Sequence, residues 1–236
     1  MSRQPARALI TGASRGIGRA LAIALAREGT HVVLTATSFE PLDSLLAVIQ
    51  SQGGEGSIIV ADLLMRSERH RLAQEAGPID ILVNNAGVLG GRERLYDTSL
   101  STFETTLEIN AVAPFDLMRL LVPGMVGRGS GTIINVSSSV ALKGRGTWGA
   151  YSTSKAALEG MSQSLSDELE GSGVRCVTVN PGGTRTDMRA EALPDEDPLT
   201  LPTAELIAQP IVDLIACEDD RHHGKRYNLR DLAGIA

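Results

Sequence analysis

Ala8-Leu9-Ile10-Thr11-Gly12-Ala13-Ser14-Arg15-Gly16-Ile17-Gly18 is the stretch on which the fold turns. Ala8-Leu9-Ile10 reads as a short buried strand. The turn that follows carries glycines at 12, 16 and 18, and from Ile17 to Glu28 apolar residues return at helical spacing. Glycines between a strand and a helix permit a tight turn and close backbone approach to a pyrophosphate, which the helix N-terminus attracts. The spacing is Gly-x-x-x-Gly-x-Gly, not the more familiar Gly-x-Gly-x-x-Gly. Such turns also occur for packing, but the place of this one, opening the first helix, favours a dinucleotide site.

The rest of the chain repeats the alternation. Strands are expected at Val32-Val33-Leu34, Ser57 to Val60, Ile79 to Val83, Gly131 to Val136 and Val174 to Val179. Helices are expected at Leu42 to Gln50, Arg66 to Glu75, Leu100 to Met125, about Ala150 to Leu169, and Leu206 to Ala216. Pro114 should kink or restart the long one, because proline lacks the N–H that continues a helix. Continuous apolar strands suit a parallel sheet covered on both faces. The expectation is an α/β fold, a doubly wound parallel sheet of the Rossmann type, in one domain spanning 1–236 with ligands at the strand carboxyl ends.

Composition excludes several classes. The 236 residues carry a formal net charge of −6, which argues against a nucleic-acid footprint. Two cysteines, Cys176 and Cys217, give neither a disulfide framework nor metal-ligand spacing, so no metal is expected. The N-terminus lacks the apolar core of a signal peptide, and no apolar run approaches the roughly 18 residues of a membrane span. A cytoplasmic protein is expected.

Tyr151 and Lys155 lie four residues apart at the start of a helical pattern, so hydroxyl and ammonium project from one face. A nearby cation favours the phenolate and should lower the tyrosine pKa, making it usable as a general acid or base. At the end of the second strand, where folds selective for NAD place an acid, the chain reads Thr35-Ala36-Thr37-Ser38. Arg15 offers a positive charge nearby and Thr37 a hydroxyl. NADP(H) is therefore preferred, with NAD(H) as the alternative.

Together these stretches resemble the short-chain dehydrogenase/reductase family in its compact single-domain form, over about residues 7 to 190. The resemblance rests on Thr11 to Gly18, Asp62 after the third strand, Asn84-Asn85-Ala86-Gly87 after the fourth, Asn110, Ser138, Tyr151 with Lys155, and Asn180-Pro181-Gly182. It implies Tyr151 as proton donor to a carbonyl (acceptor in reverse), and Lys155 as the group that binds the nicotinamide ribose and tunes the tyrosine. Ser138, selected from Ser137, Ser138 and Ser139 by the family's spacing to Tyr151, is implied as hydrogen-bond donor to the substrate oxygen. Asn110 is implied as holder of a water against the lysine. For the cofactor it implies Gly12, Ser14, Arg15, Gly16, Ile17 and Gly18 at the turn, and Asp62 and Leu63 at the adenine. Asn85, Ala86 and Gly87 fall beside the adenosine ribose, and Pro181, Gly182, Thr184 and Thr186 around the nicotinamide and pyrophosphate.

By motif the 3-oxoacyl-[acyl-carrier-protein] reductases stand nearest, on Arg15, Thr35 to Ser38 and the Ser138–Tyr151 spacing. An acidic carrier protein needs a basic surface. Arg128 could serve, but Glu170-Gly171-Ser172-Gly173 lacks the basic residue expected near that helix end. The substrate loop, about 184–202, reads as polar and mobile, and Trp148 is a candidate pocket residue. The family's closing glycine-rich strand is replaced by His223 to Asp231, and His222-His223 reads as a solvated turn. A homodimer through the Leu100 and Tyr151 helices, or a homotetramer, is implied. The alternative to a carbonyl reductase or alcohol dehydrogenase is a dinucleotide-binding sensor or scaffold without turnover.

Overall fold

Side chains alternate along each central strand, and the alternation builds two cores. The computed structural model describes residues 5–217 and 219–235. Its strands are β1 (Arg7–Thr11), β2 (His31–Thr35), β3 (Gly56–Ile58), β4 (Ile81–Asn84), β5 (Gly131–Val136), β6 (Val174–Asn180) and β7 (Arg226–Asn228). The helices are α1 (Gly16–Arg27), α2 (Phe39–Ser51), α3 (Arg66–Ala76), α4 (Leu100–Leu107), α5 (Ala113–Arg128), α6 (Gly149–Glu168), α7 (Asp187–Ala192), α8 (Ala204–Ala216) and α9 (Leu229–Leu232). All strands pair in parallel in the order β3-β2-β1-β4-β5-β6-β7. Ala8, Ile10, Val32, Leu34 and Val83 face one core with Leu21, Leu45 and Ile211 of α1, α2 and α8. Leu9, Val33, Leu82 and Ile133 face the other with Leu72 and Leu117 of α3 and α5. The strand order reverses at β1–β4, which opens the crevice expected of a doubly wound sheet.

Pro114 restarts its helix as expected. α4 ends at Leu107, a π-turn spans Glu108–Val112, and Pro114 sits in the first turn of α5. Because proline has no N–H, the carbonyl of Asn110, four residues earlier, loses its α-helical donor. The π-turn is held from outside by Arg69 of α3. That buried guanidinium donates to Glu108 Oε1 at 2.6 Å, Asp116 Oδ2 at 2.9 Å and the Leu63 carbonyl at 2.7 Å. Burial pushes the Asp116 carboxyl up, but the hydrogen bonds from Arg119 and Arg69 prevail and hold it below its ordinary value.

Four expectations change. β3 stops at Ile58 and β4 starts at Ile81, both shorter than their apolar runs. A seventh strand does form in the C-terminal segment, where Thr178, Val179 and Asn180 pair with Arg226, Tyr227 and Asn228. His223 is not solvated. Its Nδ1 accepts from the Cys176 N–H at 3.2 Å and its Nε2 lies 2.9 Å from the Ser166 carbonyl. Finally, Leu100–Arg128 and Pro198–Ala216 do reach a mean hydropathy of 1.3 over a membrane-span length, but about half of each such window is buried inside the fold.

Candidate active site

The glycine turn is shaped by contact. A Cβ on Gly18 would lie 2.4 Å from the Gly12 carbonyl oxygen and 2.5 Å from Asn85 Nδ2, closer than any side chain tolerates. Gly12 has φ +64°, and a Cβ there would meet the Ala86 backbone at 2.9 Å. Asn85 fixes this arrangement by donating to the Thr11 and Gly12 carbonyls at 2.8 and 3.2 Å. Thr11 Oγ1 in turn accepts from the N–H groups of Asn85 and Ala86, both at 3.0 Å. Gly18 thus supports the turn from behind, and Asn85 spends its amide on holding it.

In front of the turn lies a cleft of about 290 Å³ along the carboxyl ends of the strands. One end is lined by Gly12, Ser14, Arg15, Gly16 and Ile17, with Thr37, Asp62 and Leu63 beside them. Ala86 and Gly87 form the middle, Tyr151, Lys155 and Pro181 the far end, and Thr186 lies against the glycine turn, 3.3 Å from where a Cβ on Gly16 would sit. Gly182 and Thr184 do not line it. Thr184 is buried with its hydroxyl on the Pro181 carbonyl, and Gly182 packs against Arg230. Thr186 caps α7, its hydroxyl accepting from the Arg189 N–H.

The cleft fits a dinucleotide. Thr35 Oγ1 and Ser137 Oγ are buried with no hydrogen-bond partner among the described residues, and both residues line it. The first turn of α1 has neither a side-chain cap nor an acid, so its N–H groups are open to an anion. Arg15 and Thr37 line the cleft, and the residues that directly follow β2, Ala36, Thr37 and Ser38, include no acid. Arg15 meanwhile pairs with Asp187 at 3.2 Å, both well exposed. The sequence reading passes Ser137 over for Ser138 and gives Thr35 no role of its own, and it does not mark Val88 and Ile109 on the same walls. Only the pairing of distant strands brings them there.

At the far end, the Ser138 hydroxyl accepts from the Val140 N–H and lies close enough to the Tyr151 phenol to favour its ionised form. Lys155 Nζ lies 5.7 Å from the phenol ring centre and donates to the Val136 carbonyl at 2.8 Å. Burial pushes the Tyr151 pKa up to about 12, with Ser138 opposing. The expected lowering is therefore reversed, since desolvation of the phenolate dominates. Burial also pulls Lys155 down to about 8, with Glu159 opposing. Asn110 is fully buried, and its side chain is committed. Oδ1 accepts from the Val88 N–H at 2.8 Å, and Nδ2 donates to the Val88 carbonyl at 2.8 Å and to Ser154 Oγ at 3.0 Å. Gly87 lets the chain pass here, since a Cβ would lie 3.1 Å from Asn110 Oδ1 and 3.6 Å from Lys155 Nζ.

A stability consequence follows from the lysine. Its folded pKa lies below its unfolded value, so between about pH 8 and 10 the unfolded chain binds more protons and folding gains from rising pH. Above about pH 10 the protonated Tyr151 reverses the slope, because the unfolded phenol ionises first. Thermal melts of wild type and Lys155→Met from pH 7 to 10 should show the wild type gaining on the variant as pH rises; parallel curves would contradict this.

Around Tyr151, the side chains of Leu89, Val140 and Ala192 form a small apolar cluster with Trp148 and Leu193 against it. The loop expected to be mobile is docked here. Arg92 donates to the Ala192 carbonyl at 2.6 Å and to Thr147 Oγ1 at 2.9 Å, and lies over the Trp148 ring at 5.1 Å. Arg189 and Glu196 close the loop on itself with two bonds of 2.6 and 2.7 Å. Arg128 does not present a free cation for an acidic partner, because it bonds the Ile79 carbonyl and lies 3.8 Å from Asp80.

Comparison with known proteins agrees with this geometry. The family model for short chain dehydrogenases matches residues 6–197. The uncharacterized oxidoreductase YciK of Escherichia coli K12 is 35% identical over 227 residues, covering 93% of this chain and 90% of that protein. A short chain dehydrogenase from Shigella flexneri 2a complexed with NADP superposes with a TM-score of 0.90 at 34% identity, covering 97% of this chain and 100% of that one. One from Escherichia coli CFT073 complexed with NADPH gives 0.90 at 34%, covering 95% and 96%.

Proposed function

The chain belongs to the short chain dehydrogenase family and is an NADP(H)-dependent oxidoreductase of small molecules; we propose that it interconverts a carbonyl compound and its alcohol, with Tyr151 as the proton donor in reduction. The observation that carries this reading is the phenol at the far end of the cleft, held protonated by burial, with Ser138 close enough to act on it. A protonated donor beside a second hydroxyl suits a carbonyl oxygen that becomes an alkoxide. NADPH, when bound, supplies the hydride.

The chain's own residues handle the proton and the charge. Ser138 donates to the carbonyl oxygen and stabilises the charge that develops there. Tyr151 transfers its proton to that oxygen, and the Lys155 ammonium favours the phenolate that remains. Asn110 acts through its main-chain carbonyl, left without an α-helical donor by Pro114, and holds a water toward Lys155 for reprotonation. The glycine turn and α1 would hold the pyrophosphate, Asp62 and Leu63 the adenine, and Arg15 with Thr37 the 2′-phosphate.

The apolar cluster of Leu89, Val140, Trp148, Ala192 and Leu193 favours a substrate with an apolar body, bound under segment 184–202. A 3-oxoacyl thioester satisfies that description. The internal commitment of Arg128 speaks for a coenzyme A or simpler thioester over a carrier protein. Assembly of copies through the α4–α5 face belongs to the same reading, supported by exposed Leu100, Val112 and Phe115.

The test is NADPH oxidation against a panel holding an acetoacetyl thioester, a plain ketone and a quinone, with wild type and Arg15→Ala. Turnover with an apolar carbonyl is expected. Loss of a charge-assisted contact in Arg15→Ala should lower kcat/KM for NADPH roughly tenfold to hundredfold and leave NADH nearly unchanged. NADPH binding with no turnover across the panel would favour a sensor instead.

A further inference from the structure

We propose that Glu159 and Arg226 are a positioning pair, which ties the seventh strand to the Ser138 main chain and sets the electrostatic field at Lys155. The proposal rests on the reading of Ser138 and Lys155 given above. Glu159 follows Lys155 by four residues on α6 and shares its face. Its carboxylate side chain is only 6% exposed, a placement that requires a partner. Arg226 Nε on β7 supplies it at 2.9 Å. The same guanidinium donates to the Ser138 carbonyl at 3.3 Å and to Asn228 Oδ1 at 3.2 Å. One side chain from β7 therefore holds both the acid beyond Lys155 and the backbone of the serine that faces Tyr151.

The arrangement does more than fill space. If the sole need were to close α6 against β7, an apolar pair of similar volume would do so without taking two charges out of water. The acid also opposes the desolvation of Lys155, favouring its ammonium form. The charged or titratable groups described around Lys155 are Tyr151 and Glu159 on its own helix and, through Glu159, Arg226 on β7. The other contacts, the Val136 carbonyl and the Asn110 amide near Gly87, are neutral. The two members of the pair must then push Lys155 in opposite directions. Removing the acid lowers its pKa and removing the arginine raises it.

The chain has three lysines, Lys143, Lys155 and Lys225, so their side-chain carbons can be titrated individually by NMR with ¹³Cε-labelled lysine in the cofactor-free protein. Lys143→Arg and Lys225→Arg assign the signals. Lys155 should titrate below the other two. Glu159→Gln should move it about one unit lower, and Arg226→Gln should move it higher. Arg226→Lys should restore the titration. It should not restore kcat, expected to fall about tenfold in Arg226→Gln, because one ammonium lacks the fork that bridges Glu159 and the Ser138 carbonyl. Lys155 values that stay put, or that move the same way in both variants, would overturn the proposal. So would the expected titration shifts with kcat unchanged. If Glu159→Gln does not fold, the two Arg226 variants decide by the same signals. The titration needs no turnover, so an inactive wild type with these shifts intact would count against the carbonyl-reductase reading and leave the field at Lys155 established.

Discussion

Replacing Tyr151 with phenylalanine is expected to lower kcat for carbonyl reduction by about 10²- to 10⁴-fold, the usual worth of a positioned general acid. NADPH affinity should change little. The substitution removes one oxygen and keeps the ring, so the tilted contact with Trp148 at 5.9 Å and the packing against Leu89 and Val140 persist. What disappears is the phenol oxygen beside Ser138 and its proton. Stopped-flow single turnovers would separate the chemical step from binding, and cofactor fluorescence would report affinity. Rates equal to wild type would remove Tyr151 from the mechanism. A matched loss of affinity and rate would point to collapse of the cleft.

The second large effect is on stability. Arg69→Met should cost about 3–5 kcal/mol, because Asp116 and Glu108 lose the guanidinium that joins them to α3 while Asp116 stays buried. For a chain of this size that is a fall in Tm of roughly 6–20 °C. Arg119 still reaches Asp116 at 2.7 Å, which keeps the loss from being larger. Replacing Arg69 and Asp116 together by apolar residues should recover part of the difference, since no unpaired acid is then left at position 116. Calorimetric or fluorescence melts of the single and double variants check both statements. A Tm unchanged in Arg69→Met would mean that the network contributes nothing measurable.

The two sites of these predictions differ in how far the sequence announces them. Tyr151 and Lys155 are legible because a helix repeats every 3.6 residues, which puts both on one face, and because the glycine turn, Asn110 and Ser138 accompany them in order; the four-residue spacing alone would pass for chance. The glycine turn is legible for a harder reason. At Gly18 the backbone of Gly12 leaves no room for a Cβ, so geometry dictates the residue. The Arg69 network joins α3, the π-turn and α5 across tens of residues, and no local pattern marks it. The same is true of the Thr35 and Ser137 hydroxyls, and of Arg92, which docks a segment 100 residues away. For Tyr151 the sequence points to a lowered pKa, because the lysine is visible in it and the burial that prevails is not. β7 was missed since three residues of edge strand, one of them charged, carry almost no apolar signal.

That edge has a bearing on behaviour at high concentration. The two rims of the sheet, β3 and β7, have three residues each, fewer than any strand between them. Unpaired backbone N–H and C=O groups at a rim are a template on which another copy can add a strand, and such growth needs length and flatness to propagate. Here the regular strand at either rim is three residues long, and β7 begins with Arg226, whose guanidinium is already engaged with Glu159. A sheet closed off in this way resists fibrillar self-assembly at both borders, and crowding should drive copies together through their helical faces before it splices their strands.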